Sequence, residues 1–106
     1  LYNDAAEKVD EVAERILQLG STPESRFSVY LQTAEIKEAD VVSCSKEALD
    51  LLLDYYRTLI ARERRIIEVA SDAHDDTTVS LVSDFLKEQE KTVWMLVAVS
   101  SQSCAE

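Results

Sequence analysis

Asp10 and Glu14 lie four residues apart in the stretch KVDEVAERILQLGSTP, residues 8–23. At that spacing two side chains rise from one face of a helix, a turn apart. Like charges so placed cost a few tenths of a kcal/mol, which Lys or Arg at either position would remove. Two explanations stand open: a solvated acidic face, or a pair of hard oxygen ligands for a metal ion. Chance pairs are common in a chain with 21 acidic residues, and Glu7 with Glu11 is another. A second acidic group, Asp72, Asp75 and Asp76, lies in SDAHDDTTVSLVSDF. For Asp75 and Asp76, N-capping and the positive end of a helix dipole give a structural reading. His74, the sole histidine, reads as an exposed turn residue.

These side chains need elements to hold them. Val9, Val12, Ala13, Ile16 and Leu17 form an apolar stripe that predicts a helix over 2–19, with Gly20 at the position after its end. Thr22 as N-cap and Pro23 at the first helical position predict a short helix over 23–33, containing Phe27, Val29 and Tyr30. Residues 34–42 have no clear period and read as a connection. Leu49, Leu52, Leu53, Tyr56, Leu59, Ile60, Ile67 and Ala70 mark a long helix over 46–71, capped by Ser43 or Ser45. After a turn at 72–76, Leu81, Val82, Phe85, Leu86, Val93, Trp94 and Val97 mark the inward side of a last helix over 77–99. Residues 100–106 read as a polar, frayed tail. The fold class is therefore all-α: three long helices plus a short crossover helix. The connection of about 25 residues between the first two long helices is too long for a tight hairpin and suits a crossing of a bundle.

Composition narrows the function. A chain of 106 residues reads as a single domain, 1–106. One Gly and one Pro leave few breakers. A net charge of −10 opposes binding to nucleic acid, whose phosphates draw Lys and Arg clusters. Arg62, Arg64 and Arg65 read as a solvated helix face. No stretch approaches 18 apolar residues, so no membrane span is expected. Cys44 and Cys104 fit neither a disulfide framework nor a zinc spacing, which places the chain in a reducing, cytoplasmic setting.

EKVDEVAERILQLGSTP, YLQTAEIKEAD and LLLDYYRTLIARERRIIEVASDAHDDTTVSLVSDFLKEQEKTVWML together resemble the Dps-type mini-ferritins over nearly the whole chain. The resemblance implies a ferritin-like antiparallel bundle. It implies self-association, a hollow dodecamer in the family, and a ferroxidase that oxidises ferrous iron, usually with peroxide, and stores the ferric product. It implies that Asp10 and Glu14 match the family's iron-binding Asp and Glu. It further implies that Asp76, with Asp75 and Asp72 nearby, matches acids lining the family's iron-uptake pores, although Ser80 stands where a further pore acid is usual. Trp94 reads as a core or interface aromatic.

The resemblance also implies a departure. The family's two histidines and further carboxylate belong to its first helix and the start of its second, and nothing in this sequence matches them. The site is shared between two subunits in the family. Two carboxylates without imidazole hold iron weakly, so little ferroxidase activity is expected of these residues alone. A missing helix would uncover an apolar face, so the chain is expected either to associate with a partner that covers it or to rearrange. The alternative function is a truncated or engineered helical scaffold, or binding module, without iron chemistry.

Overall fold

The computed structural model describes residues 2–40 and 44–100. It contains four helices: α1 (Tyr2–Gln18), α2 (Phe27–Thr33), α3 (Ser45–Asp72) and α4 (Asp76–Val99). No strand occurs among the described residues, as the apolar periods predict. The chain divides into two compact units, Leu1–Glu35 and Ile36–Glu106. The tail at 101–106, the cap candidate Ser43 and Cys104 lie outside the described residues.

In the first unit α1 ends where Gly20 predicts. Gly20 has φ +88°, a left-handed conformation that L side chains resist. Its N–H donates to the Leu17 carbonyl at 3.0 Å, and the Ser21 N–H to the Ile16 carbonyl at 3.1 Å. This is a Schellman ending, which satisfies two carbonyls that the helix leaves open. The second helix corrects the expectation. It begins at Phe27 and not at Pro23. The Glu24 carboxylate accepts the N–H groups of Ser25 at 2.9 Å and Arg26 at 3.2 Å. Both donors are thereby satisfied outside a helix, and Arg26 stays extended (φ −94°, ψ 125°). Arg26 also donates from Nη2 to Glu24 Oε1 at 2.9 Å. The Arg26 guanidinium, with help from the Ser25 N–H, holds the Glu24 carboxyl below its ordinary range. Tyr30 Oη donates to the Glu24 carbonyl at 2.6 Å, tying α2 to the segment before it.

In the second unit α3 and α4 form an antiparallel hairpin joined by residues 73–75. The buried apolar residues are Ala70, Val82 and Phe85, all on the predicted stripes. Glu63 and Gln89 are buried with them, and Gln89 Nε2 donates to Glu63 Oε2 at 2.9 Å across the hairpin. Trp94 and Val97 are 70% and 53% exposed, so neither belongs to this hairpin's core. The hydrophobic period alone does not show that α4's apolar residues outnumber what one neighbouring helix can cover. Arg62, Arg64 and Arg65 are exposed as expected. Arg64 Nη2 lies 3.2 Å from Glu90 Oε2, and Arg65 Nη1 is 3.2 Å from Glu68 Oε2. Such surface pairs contribute about 0–1 kcal/mol each.

Cys44, and not Ser43 or Ser45, is the N-cap of α3, and its side chain makes no capping bond. Cys44 is disulfide-bonded. This corrects the reading of Cys44 as a reduced thiol, and the step from reduced thiols to a cytoplasmic setting loses its basis. Sequence spacing misses such a bond because only the folded backbone sets the distance between two cysteines. No helix among the described residues is long and apolar enough to cross a membrane.

The α3–α4 turn repeats the Schellman ending without a glycine. His74 has φ +58°. Its N–H donates to the Ser71 carbonyl at 3.0 Å, and the Asp75 N–H to the Ala70 carbonyl at 2.8 Å. A side chain in this region costs about 1–2 kcal/mol, part of which glycine's extra unfolded-state freedom offsets. His74→Gly should therefore stabilise the protein by about 0.5–1 kcal/mol in urea unfolding. Gly20→Ala should destabilise it by a similar amount through its backbone alone, since nothing lies within 4 Å of the added Cβ.

Candidate iron site on the first helix

Asp10 and Glu14 both fall inside α1, so the predicted i,i+4 placement on one helical face is realised. Both are exposed. Among the described residues neither carboxylate enters a hydrogen bond or an ion pair. Asp4 on the same helix differs: Lys8 Nζ lies 2.8 Å from its Oδ2. The Asp10–Glu14 pair thus keeps its oxygen lone pairs available, at a spacing that lets both reach one ion. Among the described residues no three of His, Cys, Asp and Glu gather around a common point. The pair can supply part of a coordination sphere, and further donors must come from elsewhere.

His74 stands in the α3–α4 turn of the second unit, exposed, with its backbone closing α3. The acids around it divide by role. Asp75 is the N-cap of α4: Oδ1 accepts the Thr78 N–H at 3.1 Å, and Oδ2 accepts the Thr78 hydroxyl at 2.5 Å. Asp76 opens the first turn of α4 and is exposed, where the helix dipole favours a negative charge. Asp72 is the last residue of α3, the end at which the dipole disfavours one. The hairpin therefore brings Asp72, Asp75 and Asp76 to one end, with the Asp75 oxygens already engaged. Ser80 and Asp84 are exposed farther along α4.

A ferritin-like domain profile matches residues 1–102. The chain is 50% identical over 102 residues to a Porphyromonas gingivalis DNA protection during starvation protein, covering 96% of this chain and 64% of that one. It is 30% identical over 102 residues to DNA protection during starvation protein 2 of Bacillus anthracis, covering 96% and 70%. The chain belongs to the ferritin-like family, in its Dps branch. Among solved structures it is similar to the Dps protein of Vibrio cholerae, with TM-score 0.88 and 42% identity, covering 92% of this chain and 61% of that one. That protein is described as a member of a broad superfamily of ferritin-like diiron-carboxylate proteins. Dps from Staphylococcus aureus gives TM-score 0.90 at 27% identity, covering 96% and 68%. The fold of this Dps-type chain is thus the ferritin-like helical bundle that the sequence predicts. The chain spans just under two thirds of the length of the P. gingivalis and V. cholerae proteins.

The sequence pattern did not single out Glu63 or Gln89, although the signal was there. Ile60, Glu63, Ile67 and Ala70 continue one helical stripe, as do Val82, Phe85, Gln89 and Val93. Reading only apolar members left both polar positions unassigned.

The two turn acids should separate by substitution. Asp75→Ala removes the cap and should cost about 1 kcal/mol. Asp76→Ala should change stability by less than half of that, the size of one exposed dipole contact. Urea midpoints of the two variants check this, and equal effects would contradict the assignment.

Proposed function

We propose that this chain belongs to a Dps-type mini-ferritin that oxidises ferrous iron and stores the ferric product, with Asp10 and Glu14 as its carboxylate ligands. The observation carrying the proposal is the pair of exposed, unengaged carboxylates on one face of α1, in a chain whose V. cholerae counterpart is grouped with diiron-carboxylate proteins. Iron here is substrate and cargo. Asp10 and Glu14 bind and orient it, and their negative charge favours the ferric over the ferrous ion. With peroxide as oxidant, two ferrous ions give up one electron each. The peroxide O–O bond breaks, two protons are taken up, and two waters leave.

Two carboxylates leave most of the coordination open. In this reading the remaining donors, which nothing in these residues matches, lie on a second copy of the whole protein, and this requirement makes self-association part of the function. Both compact units belong to one ferritin-like domain in this reading, which the profile match over 1–102 supports. Asp76, with Asp72 beside it in the turn, serves as an acidic approach for ferrous iron. Asp75 contributes charge while its oxygens cap α4. The relatives are named for DNA protection. The net charge of −10 on these residues opposes phosphate contact through them, and in this reading protection proceeds by removing ferrous iron and peroxide.

Stopped-flow oxidation of ferrous iron by peroxide tests the proposal. The protein should oxidise iron faster than buffer does. Asp10→Ala with Glu14→Ala should slow the reaction by roughly 10–100-fold, as expected when metal-holding groups are lost. Unchanged rates in the double variant would overturn the ligand assignment. Rates no faster than buffer in the parent protein would overturn the function.

A further inference from the structure

Two sets of acceptors compete for the start of α2. Thr22 and Pro23 carry the residue types of a helix start, with Thr22 as N-cap and Pro23 at the first helical position. In that register the Thr22 hydroxyl accepts the N–H of Ser25, three residues on, and the Thr22 carbonyl accepts that of Arg26, four residues on. Glu24 takes the same two donors. Its Oε2 accepts the Ser25 N–H at 2.9 Å and the Arg26 N–H at 3.2 Å. Each residue has one backbone N–H to give, so the two arrangements exclude each other.

Further bonds tip the balance toward Glu24. Arg26 donates from Nε to Glu24 Oε2 at 3.1 Å and from Nη2 to Oε1 at 2.9 Å, a two-point pair. The Glu24 carbonyl is contested as well. It accepts Tyr30 Oη at 2.6 Å, whereas a helix begun at Pro23 gives it the Ser28 N–H. Tertiary packing does not choose between the two starts. α2 has no buried residue, and Thr22, Glu24, Ser25 and Arg26 are exposed. The choice rests on these few local bonds, and the carboxylate of Glu24 makes four of them.

We propose that Glu24 is the latch of a two-state helix start: engaged, it holds α2 to a start at Phe27, and released, it lets α2 begin at Pro23 under the Thr22 cap. Release shortens the segment between α1 and α2. Residues 23–26 span at most about 13 Å when extended and about 6 Å as one helical turn. The apolar surface of α2 moves with that change, and Phe27 and Leu31 on it are 81% and 69% exposed. The latch thus sets where the protein presents these side chains. It works through Ser25, Arg26 and Tyr30, apart from Asp10 and Glu14.

Amide hydrogen exchange of the whole protein, read at Phe27 and Ser28 by mass spectrometry of its fragments, tests this. A helix begun at Phe27 leaves both N–H groups without helical acceptors. One begun at Pro23 directs them to the Pro23 and Glu24 carbonyls. Exchange at both should slow by roughly fivefold in Glu24→Ala, the effect of one cap on an equilibrium. Adding Thr22→Val to Glu24→Ala should restore the parental exchange, while Thr22→Val alone should leave it unchanged, because Thr22 caps nothing when the latch is engaged. Equal exchange in the parent and Glu24→Ala, or slowing that persists when Thr22→Val is added, would overturn the proposal. If Glu24→Ala fails to fold, Glu24→Gln serves the same comparison, since its amide has no charge to hold the guanidinium.

Discussion

The second unit depends on a narrow seam between two helices. Ala70, Val82 and Phe85 are the buried apolar residues among those described, and no large side chain there is fully buried. Burying a Val or Phe contributes roughly 1.5–3 kcal/mol each, and fixing dozens of helical residues costs far more than such contacts return. A seam this thin tolerates little error. A buried amide–carboxyl pair at its centre sets which turn of α3 meets which turn of α4, because any slip would strand both polar groups among Ile and Leu.

The same arithmetic explains the surface. Trp94, Met95, Val97 and Val99 near the end of α4 are all more than 40% exposed, as are Phe27 and Leu31 on α2. Within each unit, large apolar side chains left this exposed are what an associating surface would cover. Association is also what the proposed iron chemistry requires. The helices supply carboxylates at Asp10 and Glu14 but no third ligand among the described residues, and a contact that covers apolar surface can also bring the missing donors.

Much of this was legible in the residues, for physical reasons that differ by element. Helical periods placed α1, α3 and α4 to within two residues at each end, because long amphipathic stripes repeat their signal over many turns. Gly20 was readable because few other residues accept its backbone angles. The start of α2 was not readable. Thr22 and Pro23 carry a local signal for a helix start, but the Glu24 carboxylate captures two backbone donors and delays the helix to Phe27. His74 escaped as a helix terminator because its left-handed backbone is imposed by the hairpin and not by its own preference. Glu63 and Gln89 escaped because a pattern search for apolar residues passes over buried polar ones. The Asp10–Glu14 pair was visible as geometry, whereas its chemistry came from the family resemblance, since spacing alone cannot tell a ligand pair from a solvated face.

The central claim is that the shared face of Asp10 and Glu14 is where this protein handles iron. Anomalous diffraction at the iron absorption edge, from crystals of the protein loaded anaerobically with ferrous iron, tests it most directly. The account predicts an anomalous peak within coordination distance of carboxylate oxygens from both Asp10 and Glu14, completed by donors from a neighbouring subunit. Peaks confined to other acidic groups, with both carboxylates free of metal, would contradict it.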